Sequence, residues 1–207
     1  MFPGPLGLDG YTPSMEAEMP AYRMKLPAVT PVDASPRARE ILEAVKKRIG
    51  MIPNMYAVMA NSPGALETYV FGYERFRQAS GFTPPEQEVV FLAISVENGC
   101  EYCVSAHSVI ADTSSKVPRE VTDAIRNGAP IPDPRLRALA GLARAIVATR
   151  GRPSDRDVEE FLAAGYTEHQ VMEIVLAVAV KTISNYVNHL FDTPIDGPFR
   201  AREWRLP

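Results

Sequence analysis

The sequence predicts an all-α protein. Three observations lead there. Helix-start signals (a Ser or Thr cap followed by Pro, or a Ser/Thr with Glu/Gln three residues on) recur along the chain. Apolar residues between these signals are spaced three and four apart. No alternating β-branched run is long enough for a convincing strand. With 207 residues, 46% of them hydrophobic, the chain can bury a real core.

Residues 1–34 are rich in Pro and Gly and lack periodicity, so they read as an irregular arm, mobile or docked on a neighbouring subunit. Residues 35–207 read as the all-α domain. Ser35-Pro36 caps a first helix that stops at Gly50. A short helix fits between Pro53 and Pro63, and the next runs from Pro63 to Gly81. Thr83 and Glu86 form a capping box for a helix ending at Gly99. Another begins near Cys100 and runs to about Asp112. Pro118–Gly128 ends at a glycine, as helices often do. The stretch after Asp133 places Leu136, Leu139, Ala140 and Ala143 on one face. Ser154 caps the next helix, and Thr167 with Gln170 opens the long apolar helix Glu168–Phe191.

The formal net charge is −3, which argues against a basic surface for nucleic acid or anionic lipid. Arg200, Arg202 and Arg205 cluster around Trp204, and read as a subunit contact or a solvated tail rather than a nucleic-acid contact. No run of 18 uncharged apolar residues exists, and the best stretch, Val171–Ile183, is interrupted by Glu173 and Lys181, so no membrane span is expected. The N-terminus lacks the basic start and apolar centre of a signal peptide, which makes the cytoplasm the expected location. There, a close cysteine pair is catalytic or metal-binding rather than a structural staple.

The chemistry concentrates in "ENGCEYCVSAHS", Glu97–Ser108, which holds both cysteines and one of the three histidines. Cys100 and Cys103, three apart near a helix start, share one surface, and the helix N-terminus favours a thiolate. His107, one turn beyond Cys103, is placed to accept its proton. A carboxylate behind the histidine would fix its tautomer; Glu86, Glu88, Glu97, Glu101 and Asp112 are the candidates, and spacing does not choose among them. Zinc would need a fourth ligand beyond these two cysteines and His107, and no second Cys/His pair follows, so neither a metal nor another cofactor is expected. Asn185 and His189, four apart with Tyr186 beside them, are candidates to line the same cavity or a subunit interface. His169 reads as surface, and the Met and aromatic residues of the second and third helices as core rather than pocket.

Glu88, eleven residues, Cys100, two residues, Cys103, three residues, His107: this motif resembles that of the alkyl hydroperoxidase D group of the carboxymuconolactone decarboxylase-like superfamily. The core resemblance spans about 83–112, and a weaker one to peroxidase-related members runs from Leu26 to Pro194, including "KTISNYVNHLFDTPID". It implies an alkyl hydroperoxidase D-like helical bundle with the CxxC pair at a helix N-terminus, assembled as a homo-oligomer, a trimer or a hexamer. It implies a thiol-dependent peroxidase in which Cys103 is peroxidatic, Cys100 resolving, and Glu88 and His107 relay the proton. The substrate would be a hydroperoxide and the reductant a dithiol, a lipoyl group or a small redox protein. Peroxidase members carry a second histidine where this chain has Tyr102, which makes Tyr102 a further pocket candidate. Two other readings stand beside this one: a lyase of the decarboxylase type on the same scaffold, and a non-catalytic redox sensor.

Overall fold

The computed structural model describes residues 22–206. Among them are α1 (Pro36–Ile49), α2 (Asn54–Met59), α3 (Pro63–Ala79), α4 (Pro84–Glu97), α5 (Glu101–Ile110), α6 (Arg119–Arg126), α7 (Pro134–Ala148), α8 (Asp155–Ala163) and α9 (Glu168–Phe191), and no strand. A π-helical turn, Ala111–Ser115, follows α5, and a 3-10 segment, Gly197–Arg202, follows α9. The helix expected to reach Asp112 thus leaves α geometry at Ala111.

The punctuation explains the boundaries. Ser35 accepts from the Ala38 amide, with Pro36 at the first helical position. Thr83 and Glu86 close their capping box, the Thr83 amide donating to Glu86 at 2.8 Å. Ser154 and Thr167 are capped in the same way.

Helix α4 is the axis. Every residue from Glu86 to Ser95 is buried, as expected for a helix covered on all sides. It packs on α5, α6, α7 and α9. Two apolar clusters meet along it. One joins α4 to α6, α7 and α8 and is closed by Trp204. The other joins α1, α2 and α3 to the start of α5, and it contains both cysteines. Helix α9 contributes to both, Ile174 and Ala177 to the first and Val180 to the second. Its approach to α3 is close because of Gly72, where an added Cβ would lie 2.8 Å from the Val180 side chain.

Three expectations need correction. Helix α9 extends beyond the Val171–Ile183 stretch on which no membrane span was expected. With 24 residues and a mean hydropathy of 1.3 in its best window, it is long and apolar enough by length and composition. It packs on α2, α3, α4 and α7, and its buried face carries Lys181, Ser184, Asn185 and Asn188. The arginine-rich tail is docked in part: Arg200 and Arg205 are exposed, but the residues between them hold to the fold. Trp204 is buried, its indole donates to the Arg126 carbonyl, and Arg202 pairs with Asp112 and Asp123. An indole with its one donor satisfied is stable inside a core. As for the arm, residues 1–21 lie outside the described residues, and residues 22–34 run along their own chain: the Met24 amide donates to Leu190 and the Val29 amide to Ala57.

Candidate active site

Cys100 is the N-cap of α5 and Cys103 lies in its first turn. Gly99 adopts a φ of +65°, a left-handed turn that lets the chain fold back from α4 into α5. Both cysteines are buried free thiols.

The structure chooses among the five carboxylates. Glu86 is consumed by its capping box, Arg135 and Tyr166. Glu97 is exposed. Glu101 pairs with Arg205, and Asp112 with Arg202. Glu88 alone meets the histidine, Oε2 lying 2.8 Å from His107 Nδ1. The other Glu88 oxygen is held by Arg77 of α3, which also donates to the Tyr73 hydroxyl at 2.7 Å. A carboxylate only accepts, so Nδ1 carries the proton and Nε2 is the free ring nitrogen. Burial alone would raise the Glu88 carboxyl; His107 and Arg77 hold it below its usual range. Burial, then Lys181, lowers His107 against the pull of Glu88. The buried imidazole is therefore neutral at neutral pH.

Three residues that sequence reasoning did not place in the site come from α9. Asn188 Nδ2 is 3.3 Å from Cys103 Sγ and 3.9 Å from Cys100 Sγ. Ser184 Oγ is 3.9 Å from Cys103 Sγ. Lys181 is fully buried with no oxygen or nitrogen partner, and its ammonium sits 5.7 Å from the Phe91 ring. Burial by itself raises the Cys103 thiol. The Cys100 thiol donating to it, then the Lys181 ammonium, outweigh that and take it well below the ordinary value. Cys100 moves the other way, raised by burial and by its bond to Cys103. One thiolate therefore forms, on Cys103, and Cys100 keeps its proton. The signal was in the sequence: Lys181, Ser184 and Asn188 fall at i, i+3 and i+7, a polar stripe in an otherwise apolar helix.

Cys103 and His107 open into a cavity of about 320 Å³ walled by Tyr56, Tyr69, Tyr73, Met55 and Phe199. The aromatic residues of α2 and α3, expected in the core more than in a pocket, thus do both. Cys100 opens instead into a groove of about 860 Å³ between the end of α9 and the C-terminal tail. Tyr102 borders both spaces. Its hydroxyl donates to Asp196 at 2.5 Å, so it is engaged away from the sulfurs.

The remaining pair is split. Asn185 is fully buried and accepts from Asn98 at 2.9 Å, tying α9 to the end of α4 and lining neither space. His189 is exposed and borders the groove beside Cys100. His169 is exposed, as expected. Among the described residues, no three His, Cys, Asp or Glu side chains are grouped to hold a metal ion.

Residues 63–145 match the carboxymuconolactone decarboxylase family. No curated protein matches the chain. Among solved structures, an alkylhydroperoxidase AhpD core, the uncharacterized peroxidase-related protein from Ralstonia eutropha JMP134, is 24% identical with a TM-score of 0.74 over 84% of this chain and 93% of its own. Debrominase Bmp8, as a cysteine-to-alanine variant in complex with 2,3,4-tribromopyrrole, is 18% identical with a TM-score of 0.71, over 87% and 96% of the two chains. An uncharacterized peroxidase-related protein from Silicibacter sp. TM1040 is 17% identical with a TM-score of 0.70, over 91% and 99%. The chain as a whole has the all-α alkyl hydroperoxidase D-like fold.

Proposed function

We propose that the protein is a thiol-dependent peroxidase-like oxidoreductase. The observation that carries this reading is Cys103, a buried sulfur beside a buried lysine and a second thiol, facing a cavity of substrate size. The Cys103 thiolate attacks the outer oxygen of a hydroperoxide and the O–O bond breaks. The alkoxide leaves as an alcohol after taking a proton that enters from solvent and is passed on by His107 Nε2, while Glu88 holds Nδ1. Cys100 then attacks the sulfenic sulfur, releasing water and forming the Cys100–Cys103 disulfide. A dithiol, a lipoyl group or a small redox protein, returns both thiols by exchange and is itself oxidised to a disulfide.

The reading extends to a homo-oligomer, a trimer or a hexamer, in the cytoplasm. Exposed Met172, Val175, Tyr186 and Leu190 of α9 and Phe71 of α3 support self-association. The lyase alternative has no use for the paired sulfurs.

A second reading is favoured by the aromatic walls. Tyr56, Tyr69 and Tyr73 suit a flat ring, and a structural neighbour is a debrominase. There, Cys103 would take a halogen from a halogenated arene as the ring gains a proton, and Cys100 would displace halide to form the same disulfide.

Mass spectrometry of the reduced protein after one equivalent of cumene hydroperoxide, with timed thiol blocking, tests the first reading. Both thiols should disappear rapidly with a two-proton loss of mass. Cys103→Ser should abolish the reaction and Cys100→Ser should stop at the sulfenic acid. Turnover of a bromopyrrole without peroxide reactivity would transfer support to the second reading. Peroxide consumption ending after one equivalent, with several dithiols present, would favour a redox sensor.

A further inference from the structure

The two sulfurs bond to the same asparagine yet face different spaces. Cys103 borders the aromatic-walled cavity, in company with His107 and Lys181. Cys100 borders the groove, in company with Asn188, His189, Arg23 and Arg205. Neither sulfur borders the other's space, and Tyr102 is the one residue the two linings share. That ring is held firmly. Its hydroxyl donates to Asp196 and accepts from the Met55 amide at 3.4 Å, and Phe199 meets its face edge-on with ring centroids 6.1 Å apart. The linings differ in balance: mostly tyrosines and aliphatic side chains, with Arg48, His107 and Lys181, on one side, and charged and amide side chains interleaved with Pro194, Ile195 and Leu206 on the other.

We propose that the dithiol has two doors, an apolar one admitting the oxidant to Cys103 and a polar one admitting the reducing thiol to Cys100, with Tyr102 as the partition between them. The proposal rests on the redox reading of the pair and deepens it. The oxidant class is an aryl or other bulky apolar hydroperoxide, for which the tyrosine walls supply contact area. The reductant class is a polar thiol that never has to enter that cavity.

The exchange step then has a fixed direction. The incoming thiolate attacks Cys100 Sγ along the groove, a new S–S bond forms, and the Cys100–Cys103 bond breaks. Cys103 leaves as a thiolate, received by Asn188 and Lys181. The second thiol of the reductant then attacks the mixed disulfide and releases Cys100, with the proton balance met by solvent. Leaving is faster from the more acidic sulfur, so chemistry and access select the same cysteine for attack. Oxidant and reductant would not compete for one entrance.

The test narrows each door separately. Ile49, half exposed at the apolar cavity, is replaced in Ile49→Trp; His189, exposed at the groove, is replaced in His189→Trp. Stopped-flow measurements follow oxidation by cumene hydroperoxide and, separately, reduction by dithiothreitol of protein whose disulfide was formed with diamide. Ile49→Trp should slow oxidation about tenfold and leave reduction unchanged, and His189→Trp should do the reverse. In single-cysteine proteins, Ile49→Trp should protect Cys103 from N-ethylmaleimide and His189→Trp should protect Cys100, without crossover. Tyr102→Ala should remove the separation, so that either bulky substitution affects both sulfurs less. Both half-reactions slowed together by one substitution, or maleimide protection that crosses over, would overturn the two-door arrangement. Failure of cumene hydroperoxide to oxidise the wild type would instead count against the peroxidase reading. The diamide and maleimide arms would still decide the doors.

Discussion

Cys103 can hold a negative charge in a dry place because the charges around it balance. A half-buried Arg77 and a buried Lys181 bring two cations, Glu88 brings one anion, and a neutral His107 leaves the second anion to the sulfur. Removing the unpartnered cation should therefore act on the sulfur first. Lys181→Met is expected to raise the pH midpoint of Cys103 ionisation by about one unit or more, read from thiolate absorbance in the Cys100→Ser background. Phe91 lies against Arg77, Lys181 and His107 alike, and a midpoint that stayed in place would show that the lysine does not set it. Glu88→Gln leaves Arg77 without its anion and His107 without a charged acceptor. It should cost about 3 kcal/mol in urea unfolding, the scale of a broken buried pair. It should also slow the reaction of Cys103 with peroxide.

At the scale of the element, α3 and α9 hold the site together from outside. Gly72 lets the two backbones approach, so Gly72→Ala drives a methyl group into Val180. The expected cost is about 1–3 kcal/mol, typical of an overpacked core. Val180→Ala in the same chain should recover part of it, since the two substitutions share one contact. Full additivity in chemical denaturation would mean that the helices separate rather than clash. The Thr83–Glu86 box was readable from the sequence, and so was its helix; what the sequence did not reveal is that the box removes Glu86 from the list of catalytic carboxylates. A capping carboxylate and a catalytic one look alike two positions apart, and only the helix phase separates them. Glu88 points at α5, whereas Glu86 turns back to Thr83, Arg135 and Tyr166.

For the whole molecule, acid should be the vulnerable direction. His107 is lowered from an ordinary value of 6.5 and Glu88 from 4.5, so at both groups the unfolded chain binds protons more readily than the folded one. The contribution of these two groups is then fully present above pH 6.5 and declines as pH falls, first as unfolded histidine takes up protons and then as unfolded glutamate does. Urea midpoints at pH 7.5 and 5.5 should show this fall, and His107→Gln should flatten it over that interval. The tail matters at the same scale. Trp204 fills the first core cluster and its amide bonds to Ser105 of α5. Trp204→Ala should cost about 3–5 kcal/mol, measured by thermal or denaturant unfolding. A tail that merely lay in solvent would show almost none of that.

By itself the sequence determined the helical class, most helix boundaries, and the Cys100–Cys103–His107 constellation. Those depend on neighbours along the chain: caps, turn residues, and side chains one helical turn apart. Tertiary structure alone decided which carboxylate meets His107, since Glu88 arrives from another helix. It likewise decided that Lys181, Ser184 and Asn188 close over the sulfurs, that Asn185 and His189 part company, and that the arginine-rich tail folds onto α5. It also set the two cysteines against different spaces. A helix fixes which residues share its face, but the partner that face meets depends on how distant segments pack, and packing follows from the shape of the whole core.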